Sequence, residues 1–510
     1  PIELPVWLSE QKDRDILRKD LIAGLTVALV LIPQSMAYAQ LAGLPAHYGL
    51  YASLLPPVIA AFFGSSRQLS TGPVAMVSLM TAAALEPLAT MGSEAFIGYA
   101  ILLAFMVGLF QLFLGIFRLG VLMNFLSHPV VIGFVNAAAI IIATSQMGKL
   151  FGVEADKGHA HYEYVINTIR AAMENTHWPT LAMALFAFAL MYVIRHYRPK
   201  FPAVLITVIL TTILAWLFGF AEHASVKLEQ INNQKIRIAL VFDGIQSKHT
   251  SNLRAKYISA QQEYKELAAQ TEGESEELLA GRQQLEQIAF RLEQMKQEGL
   301  SHHAELYGTT LYKVGRGKNM KFFTREEIGN IAGERSLIYF QNWHIESYAN
   351  DTVQLQAGGK VIGKIPKGLP GFQMPTLDFS TITQLIGATI AISLIGFMEA
   401  ISIAKAMAAR TRQNLNADRE LIGQGISNIT GSLFQSYPVS GSFSRSAVNF
   451  NAGGVTGFSS FVTALAVAVT LLFLTPLLYY LPQATLAAVI IVAVAGLIKV
   501  KPMIHTLSLI

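Results

Sequence analysis

Two short stretches of this 510-residue chain place groups able to hold an anion inside otherwise apolar sequence: Ser70-Thr71-Gly72-Pro73-Val74 and Tyr437-Pro438-Val439-Ser440-Gly441-Ser442-Phe443-Ser444-Arg445-Ser446. Each sets hydroxyls, glycine and proline ahead of what reads as a helix too short to cross a bilayer. From Thr71 to Leu85, at ~1.5 Å per residue, the first helix reaches about two thirds of a ~30 Å hydrocarbon core. Such a helix begins near the membrane midplane, where irregular backbone is tolerated only if it lines a cavity. Interrupted segments in corresponding halves of a chain are the sequence pointer to a transporter's binding site. Helix N-termini there present unpaired N–H groups and partial positive charge, which suits an anion.

Ser70 and Thr71 read as N-caps, Gly72 permits close backbone approach, and Pro73 suits a first helical turn. In the second stretch Ser440, Gly441, Ser442, Ser444 and Arg445 crowd into six positions. A charge there costs about 2.5 to 3.5 kcal/mol on insertion scales, so Arg445 is expected to face a cavity or a counter-charge. It reads as an anion ligand, with an arginine tied to backbone carbonyls as the structural alternative. Glu399 stands in Ile395-Gly396-Phe397-Met398-Glu399-Ala400-Ile401 with no further charge until Lys405. Desolvation favours the neutral form of a carboxyl in such a place, which makes Glu399 a candidate proton carrier. An ion pair with Arg445, a sodium ligand and an interhelical packing carboxyl are the competing readings. Gln34 and Tyr38, one turn apart, offer an amide and an aromatic face to the same centre or a packing contact between helices.

No nucleotide-binding loop, nucleophile elbow or metal-spaced set of His and Glu is present, so no enzyme signature and no cofactor are read from the chain. His302 and His303 beside Glu305 read as solvated loop histidines rather than metal ligands. The sequence has no cysteine, which excludes disulfides and thiolate sites.

The elements that must position these residues are helices in a membrane. With 52% hydrophobic and 14% charged residues and a mean hydropathy of +0.43, the chain is too apolar for a soluble enzyme of its size. Candidate spans cover roughly 20–43, 47–64, 71–85, 95–117, 128–147, 178–196, 201–220, 382–407, 419–435, 440–451, 457–480 and 484–500. The net charge of +5 is explained by basic loops on one face rather than by nucleic acid: Lys12 to Lys19, Arg195 to Lys200, and Lys405, Arg410, Arg412 and Arg419 all fall on the side of the N-terminus. That side reads as cytoplasmic. The expected location is the cell inner (plasma) membrane, with residues 1–19 as a cytoplasmic segment.

Seven spans (20–221) precede a soluble insertion (222–370), expected outside the cell, and the second repeat occupies 378–510. Within the insertion, apolar residues spaced 3 and 4 from Tyr257 to Leu267 and from Leu278 to Met295 predict a helical hairpin over 252–300 turning at Thr271-Glu272-Gly273-Glu274. Ile236 to Phe242 and Val353 to Gln356 look like strands, with Gly358-Gly359 as a turn. The hairpin either docks a partner or closes only on itself. An odd number of spans before the insertion inverts a second copy across the membrane, so two more spans are expected after residue 510.

At these residues the chain resembles the SulP family of anion transporters. The resemblance rests on Asp20-Leu21-Ile22-Ala23-Gly24-Leu25-Thr26, Ile32-Pro33-Gln34-Ser35-Met36-Ala37-Tyr38-Ala39, Gly49-Leu50-Tyr51-Ala52-Ser53, Ser70-Thr71-Gly72-Pro73, Gly396-Phe397-Met398-Glu399-Ala400 and Pro438 to Asn449. It implies an all-α polytopic fold of two inverted seven-helix repeats, with a core domain moving like an elevator against a gate domain. The second repeat would be incomplete here, and helices thirteen and fourteen and the family's STAS domain would lie outside residues 1–510. The family's anion position carries over to Gln34, Tyr38, Thr71, Gly72, Val74, Ala75, Ser442, Phe443, Ser444 and Arg445, and its coupling carboxylate to Glu399. The implied function is proton-coupled uptake of an oxyanion, sulfate first. Bicarbonate or a dicarboxylate, sodium coupling, exchange and channel conduction are the alternatives, as is a scaffold whose outer module docks a partner. A homodimer in the bilayer is expected.

Overall fold

A computed structural model of the chain describes residues 7–10, 12–89, 91–120, 128–153, 161–198, 201–270, most of 277–291, 309–315, 320–324, 338–349, 351–363, 365–377 and 379–495, with positions 155 and 327. The expected hairpin turn at 271–274, the His302, His303 and Glu305 group, and the stretch 496–510 lie outside these residues. The chain divides into two compact units, Pro1–Phe218 with Gly359–Ile510, and Gly219–Gly358.

After a single helical turn, Trp7–Glu10, the first unit continues with α1 (Arg14–Leu41), capped by Asp13, whose side chain accepts the Asp15 N–H at 2.9 Å. That cap starts the helix before the expected entry at residue 20. The span expected over 47–64 is split instead into a short helix, His47–Tyr51, and α2 (Leu55–Phe63). Pro56 and Pro57 explain the break, since they lack N–H donors and belong in a first turn. Then come β1 (Ser70–Gly72), α3 (Ala75–Leu85), α4 (Glu94–Ile116) and α5 (His128–Ser145). A short helix, Met147–Phe151, and an amphipathic one, His161–Asn175, lead to α6 (Trp178–Tyr197) and α7 (Ala203–Leu217).

The second unit carries a five-stranded antiparallel sheet in the order β2-β6-β5-β3-β4, formed by β2 (Ala221–Lys227), β3 (Thr310–Val314), β4 (Lys321–Thr324), β5 (Ile338–Ala349) and β6 (Thr352–Gly358). The strand expected at 353–356 is present in β6. The strand expected at 236–242 is not: those residues belong to a helix, Gln234–Gln270. Ile236 and Leu240 are both buried in the unit's core with Phe322 and Trp343. Their spacing of four is helical, and the run of branched residues hid it. The returning arm is helical at its described residues between Glu277 and Arg291, and Gly281 lies against the Tyr264 ring.

The first unit resumes with α8 (Phe379–Thr411), α9 (Ala417–Leu433), β7 (Ser440–Ser442), α10 (Phe443–Asn451), α11 (Phe458–Val469, continued by irregular turns to Leu478) and α12 (Gln483–Ala495). Among the described residues five helices are long and apolar enough to cross a membrane: Arg14–Leu41, Glu94–Ile116, Trp178–Tyr197, Thr381–Thr411 and Phe458–Leu478. Of the remaining expected spans, 47–64, 71–85, 128–147, 201–220 and 484–500 hold shorter apolar helices, and 419–435 and 440–451 hold the more polar α9 and α10. Small residues let the backbones meet where α4 crosses α9. A Cβ on Gly108 would come within 2.7 Å of the Gly425 carbonyl, and one on Gly425 within 2.6 Å of the Leu112 nitrogen. Such contacts replace the hydrophobic driving force that helices lack in lipid.

Candidate functional site

The two motifs meet. Ser70, Thr71 and Gly72 pair antiparallel with Ser442, Gly441 and Ser440, so β1 and β7 form a two-stranded ribbon from which α3 and α10 depart. Each strand satisfies backbone groups the other would otherwise leave bare, as the interior of a membrane protein demands. This corrects the expected caps: Ser70 and Thr71 are strand residues, and Pro73 precedes the helix. The helix begins after Val74, which is extended and makes no side-chain cap bond. The first backbone bond of α3 is Ser78 N–H to the Val74 carbonyl, so the N–H groups of Ala75, Met76 and Val77 open the helix unpaired. At α10 the Ser442 hydroxyl caps the Arg445 N–H at 3.5 Å. With 11 and 9 residues, α3 and α10 are half-spans of about 16 and 13 Å.

Arg445 is fully buried. Its Nη1 donates to the Pro73 carbonyl at 2.8 Å, which ties the start of the second half-helix to the first. Nε and Nη2 have no partner. Gly72, at φ +150°, leaves room for the guanidinium: a Cβ there would stand 3.3 Å from Nη2. The arginine is thus tied to a backbone carbonyl through one nitrogen and keeps two others for something else. Glu399 on α8 is half-buried, yet its Oε2 is enclosed and unpartnered. Glu399 and Arg445 lie within electrostatic reach of each other and of Tyr38. No ion pair joins them among the described residues. Gln34, 3% exposed, adds a fourth unpartnered polar atom, Oε1. A buried cation, a carboxyl oxygen and an amide oxygen thus lack partners near the starts of two half-helices, an arrangement that is costly unless something else satisfies it.

Gln34, Tyr38, Thr71, Val74, Ala75, Ser442 and Arg445 are all buried. Phe443, 51% exposed, and Ser444 are not part of that enclosed group and lie on the open side of α10. Thr71 departs in another way. Along a strand neighbours face opposite sides, so with Gly72 facing Arg445, Thr71 faces away, and its hydroxyl accepts from Gln424 Nε2 at 2.8 Å.

Sequence reasoning missed the residues that hold the ribbon. On α9, Glu420, Gln424 and Asn428 stand one turn apart, all at least 98% buried. Glu420 accepts the N–H groups of Ser65 and Ser66 at 2.9 and 3.1 Å, gripping the loop that enters β1. Asn428 accepts the Val439 N–H at 2.9 Å and donates to the Val439 carbonyl at 3.2 Å, gripping the entry to β7. Its amide also donates to Gln111 Oε1 of α4 at 3.0 Å. Ser440 donates to the Gly396 carbonyl at 2.6 Å, one turn before Glu399. The signal for this framework was available: polar residues at a spacing of four within an apolar span.

Residues 17–265 and 342–509 match the model of the sulfate permease family. Sulfate transporter 4.1, chloroplastic, of Arabidopsis thaliana is 31% identical over 492 residues, which are 96% of this chain and 53% of that protein. The sodium-independent sulfate anion transporter of Bos taurus is 28% identical over 501 residues, 95% of this chain and 62% of that protein. The chain therefore spans little more than half the length of these relatives. Two solved structures share the fold. The transmembrane domain of a cyanobacterium bicarbonate transporter, BicA, superposes with a TM-score of 0.62 at 19% identity, over 96% of this chain and 91% of that one. The murine solute carrier 26 family member A9 anion transporter in its inward-facing state gives 0.64 at 18%, over 98% and 64%.

Proposed function

The chain belongs to the sulfate permease family, and from that premise we propose that it is a secondary active transporter of an inorganic oxyanion, sulfate first, coupled to protons. The observation that carries the reading is the buried Arg445, with two unpartnered nitrogens, at the junction of two facing half-helices. Two helix ends supply roughly +1 between them and Arg445 a further charge, a fair match to a dianion. Gln34, Tyr38, the backbone of Gly72, Val74 and Ala75, and the Ser442 cap complete the proposed binding surface, with Phe443 and Ser444 on the side by which the anion enters or leaves. Thr71 contributes through its backbone, because its side chain serves Gln424.

A dianion entering against about 100 mV, inside negative, faces about 4.6 kcal/mol, so uptake needs a driving ion. Glu399 is proposed as its carrier: protonated, it leaves the positive charge around Arg445 to the anion, and ionised, it cancels about half of that charge and favours release. The two seven-helix repeats, an elevator-like movement of the core, a cytoplasmic N-terminus in the plasma membrane, an extracytoplasmic insertion and a homodimer belong to the same proposal.

The test is uptake of labelled sulfate by proteoliposomes holding the full-length protein, with and without an inward proton gradient. Bicarbonate and fumarate serve as competitors. Accumulation that requires the gradient supports the proposal; uptake that follows voltage alone and ignores pH would show a channel instead.

A further inference from the structure

The helix His161–Asn175, on the path from the end of α5 to the start of α6, turns an apolar stripe outward. Tyr162, Ile166, Ile169 and Met173 are 65, 51, 44 and 85% exposed. At about 100° per residue they fall within about 60° of one another. The opposite side of the helix is the one that meets the rest of the unit. Thr168 there is fully buried, and the Tyr164 hydroxyl donates to the Ser145 carbonyl, at the end of α5, at 3.2 Å. The His161 ring and the Thr144 hydroxyl share a hydrogen bond of 2.7 Å. Between stripe and contact stand Glu163, Asn167 and Arg170, with Arg170 exposed at the stripe's border. A helix that bares its apolar side inverts the order that water imposes on a surface helix.

The placing of the helix says what covers the stripe. The His177 N–H bonds the Phe151 carbonyl at 2.9 Å, so the chain leaving the helix is tied down where α6 begins. That span is long and apolar enough to cross a membrane, and only 22% of its most apolar stretch is buried in the protein. Trp178, its first residue, is 73% exposed, where aromatic side chains mark a membrane–water boundary. The stripe therefore adjoins a surface that already faces lipid.

We propose that His161–Asn175 is an interfacial helix whose partner is the bilayer: Tyr162, Ile166, Ile169 and Met173 insert among the lipids of the leaflet at which α6 begins, and Arg170 meets headgroup phosphates beside them. It anchors the joint between α5 and α6. Because the sequence has no cysteine, single cysteines can carry a nitroxide in the full-length protein reconstituted into lipid bilayers. Ile166→Cys, Ile169→Cys and Met173→Cys report the stripe. Leu185→Cys, at a position 58% exposed on α6, serves as the lipid reference, and Leu279→Cys, 51% exposed in the insertion, as the water reference. Electron paramagnetic resonance with dissolved oxygen and a water-soluble nickel chelate should place the three stripe labels about 5 to 10 Å inside the headgroup–acyl boundary, with oxygen favoured as at Leu185→Cys. Stripe labels that meet the nickel chelate as freely as Leu279→Cys would overturn the proposal. Labels shielded from both reagents would overturn it too, since they would mark a protein partner, a second copy of the chain if the spectra also broaden by contact between labels.

Discussion

At the level of single residues, the proposed chemistry rests on groups that burial leaves without partners. Arg445, Glu399 and Gln34 were legible in the sequence because a charge or amide in an apolar run is costly unless it has work to do. The proposed coupling predicts that Glu399→Gln abolishes proton-driven sulfate accumulation while exchange of internal for external sulfate continues. Arg445→Ala should reduce sulfate uptake by at least about a hundredfold, since it removes a charge-assisted contact to the anion. Gln424 and Asn428 went unread although their spacing of four was in view, since an amide in a span is as often a packing contact.

At the level of elements, the ribbon of β1 and β7 is the feature the sequence concealed. Three-residue strands carry no period, and the partner of Ser70 is Ser442, in the other half of the chain. Hydroxyls and a proline before a helix are also how an ordinary N-terminus begins, which is why Ser70 and Thr71 read as caps. The half-helices themselves were legible, because their length is set by where the apolar run stops. The polar stripe of α9 is predicted to set the ribbon's position. Asn428→Leu leaves the N–H and carbonyl of Val439 without partners and should destabilise the protein by about 1 to 3 kcal/mol, read as a lower melting temperature in detergent. Gly425→Val should be worse, because its Cβ meets the backbone of Leu112 rather than a side chain able to move.

At the level of the whole molecule, composition marks an insertion over 222–370, because a change in hydropathy over many residues averages out local ambiguity, and the structure has a compact unit over Gly219–Gly358. The internal structure of the insertion was only half legible: Val353 to Gln356 alternates as a strand should, whereas Ile236 to Phe242 needed the spacing of Ile236 and Leu240 to be weighed against its branched residues. Ala221 and Gly358 are strand partners, so the two ends of the insertion are adjacent. Replacing residues 222–357 by a short flexible linker should therefore leave uptake within about twofold in proteoliposomes, whereas a protein whose role is to dock a partner would lose that role. The central claim is that the facing half-helices, Arg445 and Glu399 form one proton-coupled anion site. It is tested most directly by labelled sulfate uptake into proteoliposomes under an imposed inward proton gradient, comparing the unaltered protein with Glu399→Gln. The account predicts accumulation above equilibrium in the first and only equilibration in the second; equal accumulation in both would contradict it.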